Sequence, residues 1–340
     1  MKKIGLTTTA PIEVLIASGY TPVDLNNIFV TSNSYLDYID IAEREGFPKN
    51  VCAWIKGIYG ACIAHNIEGV VGIVEGDCSN TKALLDVLKL KGVKVYPFSY
   101  PYSHKKEDVK IEIDKFIKIF GSDINKVEIV RKRLANSRNM VKKIDELTYR
   151  ENKVSGYENH LYQVSMSDLN GNIENYEKEL MGFIEKAEKS MPRKSKLRLA
   201  YIGVPPITTD IYEFVEKLDS RIVYNEVQRE FAFPRADKAL NIYDQYHDYT
   251  YPYDLDFRIA EIKKQVDERN IDGIIHYTQA FCYKAINDII IKKNIDVPIL
   301  TIEGDKLNVL DARTKLRIEA FLDMLLDSTL NEVSIKGGHQ

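Results

Sequence analysis

The stretch Gly69-Val70-Val71-Gly72-Ile73-Val74-Glu75-Gly76-Asp77-Cys78-Ser79-Asn80-Thr81 decides the fold. Its first six residues are an unbroken apolar run of strand length, as expected of a strand buried on both faces. Helical periodicity follows from Thr81 to Leu90 and stops at Gly92, and Val93 to Tyr96 reads as the next strand. Upstream, Ile4 to Leu6 and Thr21 to Leu25 read as strands around a helix, Ile12 to Ser18, closed by Gly19. Asn33 to Glu45 and Cys52 to His65 read as helices. Alternation of this kind predicts a parallel sheet with helices on both faces.

From Lys105 to Met191 charged residues recur at helical spacing without a strand-like run, so this segment predicts several long helices. Breaks are expected near Ser155-Gly156 and Asn170-Gly171-Asn172. After the basic linker Pro192-Arg193-Lys194-Ser195-Lys196, strands are expected at Leu197 to Gly203, Arg221 to Tyr224, Gly273 to His276 and Pro298 to Ile302. Helices are expected at Asp210 to Leu218, Phe257 to Glu268, Tyr283 to Lys292 and Thr314 to Leu326, with a loosely held tail after Leu330. The fold class is therefore α/β: two Rossmann-like or flavodoxin-like parallel-sheet domains, 1–104 and 197–340, joined by a helical insert, 105–196.

Length and composition agree. A chain of 340 residues suits two domains plus an insert, and 44% hydrophobic with 29% charged residues is ordinary globular composition. Lys plus Arg at 47 against Asp plus Glu at 50 leaves no basic excess to neutralise a phosphate backbone, which argues against nucleic acid. The longest apolar runs fall far short of the ~20 residues of a membrane span, and Thr7 to Glu13 interrupts any signal-peptide core. With few, widely spaced cysteines, a reducing compartment such as the cytoplasm is expected.

Those cysteines carry the chemistry. Cys78 follows the buried strand and precedes a helix; Cys282, in His276-Tyr277-Thr278-Gln279-Ala280-Phe281-Cys282, repeats that placement in the second half. This edge, outside the carboxyl ends of the strands, is where open α/β sheets bind ligands. Cys52 opens a helix, whose free N–H groups favour a thiolate. Cys62 sits ten residues further on, about 15 Å along the helix at ~1.5 Å per residue, too far to share a metal with Cys52. Three thiolates with an open site suit an iron–sulfur cluster, whereas zinc needs a fourth ligand such as His276 or His65. A packed thiol is the ordinary alternative for each. No P-loop and no dinucleotide fingerprint occurs, so ATP hydrolysis is expected only on another chain.

Thr9-Ala10-Pro11-Ile12-Glu13, Ala17, Gly19 and Pro22-Val23 resemble the opening of the 2-hydroxyacyl-CoA dehydratase and benzoyl-CoA reductase family of iron–sulfur proteins. Cys52-Ala53-Trp54-Ile55-Lys56-Gly57-Ile58-Tyr59-Gly60, Asp77-Cys78-Ser79 and Gln279-Ala280-Phe281-Cys282 are similar to its three cysteine motifs. Pro298 to Asp305 and Arg313 to Leu322 resemble its closing motifs. Two departures stand out: Ala53 replaces the usual Ser, and Lys56 the usual Arg.

The resemblance implies that Cys52, Cys78 and Cys282 hold one [4Fe-4S] cluster with an open iron. It further implies a separate ATP-hydrolysing iron–sulfur activator that delivers a low-potential electron, and a radical dehydration of a 2-hydroxyacyl-CoA thioester through a ketyl. A sister branch implies the alternative of a double-cubane [8Fe-9S] cluster and reduction of small molecules; a further alternative is a non-enzymatic electron carrier or cluster-assembly protein. Because the dehydratases pair two related subunits and this chain stands alone and short, a homodimer is expected, with a related second subunit as the alternative.

Strand-end acids Glu75, Asp77, Glu303 and Asp305 lie near the expected cleft, with Glu75, Asp77 and Glu303 the catalytic candidates; capping or ion pairing is their ordinary use. Arg313 and Arg317 share a helix face and suit a salt bridge or a CoA phosphate. Tyr243 to Tyr253 reads as a packed or lid-like aromatic loop.

Overall fold

The computed structural model describes residues 2–337, with side chains through Ser328. In chain order the first half contains β1 (Lys2–Leu6), α1 (Ile12–Ala17), β2 (Tyr20–Asp24), α2 (Leu25–Thr31), α3 (Tyr35–Glu45), α4 (Ala53–Ala64), β3 (Gly69–Glu75), α5 (Thr81–Leu90) and β4 (Lys94–Ser99). Four helices follow: α6 (Lys106–Ile119), α7 (Ile124–Tyr149), α8 (Gly156–Ser165) and α9 (Ile173–Lys189). The second half contains β5 (Leu197–Gly203), α10 (Ile211–Lys217), β6 (Ser220–Asn225), α11 (Glu226–Phe231), α12 (Ile242–His247), α13 (Leu255–Arg269), β7 (Gly273–Gln279), α14 (Asp288–Asn294), β8 (Ile299–Gly304) and α15 (Ala312–Gly337).

Two four-stranded sheets result, ordered β2-β1-β3-β4 and β6-β5-β7-β8, and every pairing in both is parallel. The strand order is the same in the two halves. In each, the chain reverses direction across the sheet between the first and third strands, which opens a crevice at their carboxyl ends. The pleat explains the layers. Val71 and Ile73 of β3 enter a core shared with α1 and the helical stretch, while Val70 faces the core formed with α4 and α5. In β7, Ile275 and Ile274 divide in the same way between two cores.

The helical stretch touches both halves. α7 packs on α1, whereas α8 packs on β6 and α11. Ser155 starts α8 with a reciprocal capping box to Glu158, so the expected break at Ser155-Gly156 is a helix start. The break at Asn170 to Asn172 is a short 3-10 turn, and Asn172 caps α9. The segment carrying Phe233, Ile242, Tyr246 and Tyr249 leaves the second sheet and joins the core of the first half, so the tyrosine-rich stretch is packed.

Several expected elements are corrected. Leu25 opens α2 instead of ending β2, because Asp24 accepts a hydrogen bond from the Asn26 N–H and caps a helix there. The expected helix Tyr283 to Lys292 is a 3-10 turn, Tyr283–Asn287, followed by α14. α11 and α12 were not expected. α15 runs to Gly337, but residues 338–340 and the side chains beyond Ser328 lie outside the described part, and with them the expectation of a loose tail. Among the described residues no helix is long and apolar enough to cross a membrane.

Candidate functional site

Cys52 is the residue immediately before α4. Two glycines let that helix approach its neighbours: a Cβ on Gly60 would lie 2.1 Å from the Tyr38 carbonyl oxygen of α3, and one on Gly57 would lie 2.4 Å from the Phe29 ring of α2. Lys56, in place of the usual Arg, turns away to Glu43, with Nζ 2.7 Å from Oε1, and is buried.

Cys78 and Cys282 sit on the loops after β3 and β7. Gly76 turns the first loop at φ +90°, where a Cβ would meet Tyr100 and the Pro252 carbonyl. Phe281 turns the second at φ 65°, an uncommon conformation for a bulky residue. Ala280 N–H donates to the Gly304 carbonyl at 2.8 Å and Cys282 N–H to the Gln279 carbonyl at 3.0 Å, which fixes the second loop. The Tyr283 hydroxyl donates to the Asp77 carbonyl and ties the two loops together across the halves.

The three cysteines line one cavity of about 130 Å³. Burial pushes the Cys52 thiol up to about 11 and the Cys78 thiol up to about 12, and it raises Cys282 as well. Two of them also feel another of the three: Cys282 acts on Cys52, and both Cys52 and Cys282 act on Cys78. Backbone N–H groups work in the opposite direction at all three, from Trp54 and Ile55 at Cys52, from Asn80 at Cys78, and from Lys284 and Ala285 at Cys282. Cys62 differs. Its thiol is pushed up to about 12 by burial alone, its Sγ lies 3.8 Å from the Ile67 carbonyl, and it packs between α4 and β3.

Of the acids expected near the cleft, Asp77 lines the cavity; Glu75 and Glu303 are exposed and do not. Glu75 instead accepts from the Tyr102 N–H at 3.1 Å. Burial raises the Asp77 pKa, against the pull of Lys284. Neither histidine considered as a fourth zinc ligand reaches the cavity: His276 Nδ1 is 2.7 Å from Asp288, and His65 Nε2 is 2.8 Å from the Tyr38 hydroxyl. Among the described residues no group of three or more His, Cys, Asp and Glu stands together as donors to a single metal ion. Arg317 donates to the Thr301 carbonyl at 2.7 Å, a structural contact.

Three lining residues were not legible in the sequence. Lys284 Nζ lies 3.5 Å from the centre of the Tyr251 ring and donates to the Tyr251 carbonyl; burial lowers its pKa to about 8. Asp24, at the end of β2, is buried, and its N–H donates to Asp168 at 2.8 Å. Burial and then the Asp24 charge raise Asp168 to about 7. His160, on α8, is buried and held neutral, its pKa lowered to about 3 by burial. A cue existed only for Lys284, two residues past a motif cysteine.

No curated protein matches the chain significantly. A family profile described as "2-hydroxyglutaryl-CoA dehydratase, D-component" matches residues 7–325. That span includes every strand except β1, the helical stretch between the sheets and all three cavity cysteines. The chain belongs to the 2-hydroxyglutaryl-CoA dehydratase D-component family.

Proposed function

We propose that this chain is the iron–sulfur subunit of a 2-hydroxyacyl-CoA dehydratase, working with a separate ATP-hydrolysing activator in the cytoplasm. The observation that carries the reading is the meeting of Cys52, Cys78 and Cys282, from both halves of the chain, on one cavity wall. The donor set suits a [4Fe-4S] cluster. Three soft thiols receive backbone N–H groups, as sulfur ligands of clusters do, and His276 and His65 are engaged elsewhere. A cluster takes one thiolate per iron, so its ligands need not converge on a single point.

When bound, the cluster supplies one-electron chemistry and an iron that acts as a Lewis acid. The chain's own residues do the rest. Tyr283 locks the two cysteine loops against one another, and the apolar wall keeps water from the reacting carbon. Asp77 and Lys284 face each other beside Cys78 and Cys282 and place one acid and one amine where a thioester oxygen or a departing hydroxyl needs a charged partner. Association as a homodimer belongs to the same proposal.

The test is electron delivery. Anaerobic protein mixed with a low-potential activator and ATP should develop the EPR signal of a reduced cluster, and addition of a 2-hydroxyacyl-CoA should yield the enoyl-CoA. Reduction of small molecules without any thioester would instead place the chain with the double-cubane reductases. A cluster that no substrate perturbs would leave an electron carrier.

A further inference from the structure

One wall of the cavity is built without a single full charge. α8 presents His160 and Val164, one turn apart, and α11 presents Val227 and Phe231, also one turn apart; Val204 continues the wall from the end of β5. The two helices pack directly on one another.

His160 is the polar group in this wall. The Tyr212 hydroxyl donates to Asn225 Oδ1 at 2.8 Å, and the Asn225 amide N–H donates to the Gly156 carbonyl at 3.0 Å, so the Tyr212 oxygen is left to accept. It lies 3.2 Å from His160 Nδ1. Gln228 Nε2 lies 3.2 Å from the same nitrogen. His160 Nε2 has no hydrogen-bond partner among the described residues. Lys284, the cationic side chain among the cavity's lining residues, is held at the cysteine loops by Tyr251 and lies within the field of Asp77, and the other acid that lines the cavity is Asp24.

We propose, on the basis of the dehydratase reading, that the α8–α11 wall receives an apolar acyl side chain, and that substrates with a second carboxylate are rejected. A branched aliphatic group fills such a wall. The carboxylate of a 2-hydroxyglutaryl group would be buried there with no counter-charge, which costs far more than a methyl group gains.

The experiment is calorimetric titration of the anaerobic holoprotein with 2-hydroxy-4-methylpentanoyl-CoA and with 2-hydroxyglutaryl-CoA. The expected result is at least about tenfold tighter binding of the branched thioester, a difference of about 1.4 kcal/mol. Equal or tighter binding of 2-hydroxyglutaryl-CoA overturns the inference and leaves the dehydratase reading intact. Binding of neither thioester overturns both. Val227→Arg, which adds a cation to the wall, should reverse the preference. If that variant fails to fold, the comparison in the wild-type protein still decides.

Discussion

Cys78 lies three residues past the last residue of β3, and Cys282 three residues past the last residue of β7, so the two cysteines hold the same place in two sheets of the same strand order. Equivalent loops bring them to one cavity, and Cys52, from the start of α4, joins them. Cys62, one helix away from that wall, serves packing.

The four cysteines should therefore separate by mutation. Cys52→Ala, Cys78→Ala and Cys282→Ala should each lose most of the iron of an anaerobic preparation. Cys62→Ala should keep its iron and lose about 1 kcal/mol of stability, because it leaves a small void beside Ile67. Iron analysis and chemical denaturation of the four variants give the comparison; equal iron loss in all four would mean the ligands are misassigned.

The approach of α4 to α3 has no slack. Gly60→Ala would push a methyl group into the Tyr38 backbone and should cost about 1–3 kcal/mol. Since α4 carries Cys52 at its start, the same variant should bind less iron. Retention of both stability and iron would show that the helix can shift without consequence.

Glu13 is fully buried and accepts from Arg138, Gln245 and Tyr246, tying α1 to α7 and α12. Burial works to raise its pKa, but Arg138 holds it below the ordinary carboxylate value. Glu13→Ala should cost about 3–5 kcal/mol, since it strands the Arg138 charge. The depressed pKa gives stability that is present above the unfolded value and lost as pH falls through the folded one. Acid unfolding of the wild-type protein, followed by circular dichroism, should show this loss below about pH 4.

Asp168 has the opposite sign. Its folded pKa, raised to about 7, lies above the unfolded value of about 3.9, so its contribution is complete below about pH 4 and is lost as pH rises through 7. Asp168→Asn removes the titration. The melting temperature of the wild-type protein should fall relative to this variant between about pH 5 and pH 8, by on the order of 1–4 kcal/mol in stability. Parallel pH profiles would mean that Asp168 is ionised throughout.

How much of this could be read from the sequence depended on whether the cause was local. β3 was legible because a strand buried on both faces is a continuous apolar run, whereas β7, with His276, Thr278 and Gln279 buried in it, runs three residues beyond the expected Gly273 to His276. Cys78 and Cys282 were legible as residues of the cavity wall because position after a strand is itself informative. α11 was not, since it is six residues long and buries Glu226 and Glu230 against Arg258 and Arg235, which leaves no amphipathic pattern. His160 and Asp168 acquire their properties from burial among distant segments, with Gln228 and Asp24, 68 and 144 residues away, as partners. Glu75 and Glu303 looked equivalent to Asp77, yet a turn of the chain at Gly76 leaves Glu75 on the surface and Asp77 at the cavity.

If the cavity thiols hold one cluster, iron and acid-labile sulfide, counted per chain in protein purified without exposure to air, should each come to about four, with an EPR signal on reduction. A count near eight would contradict a single cubane, and zinc, or protein free of metal, would contradict iron–sulfur chemistry at these cysteines.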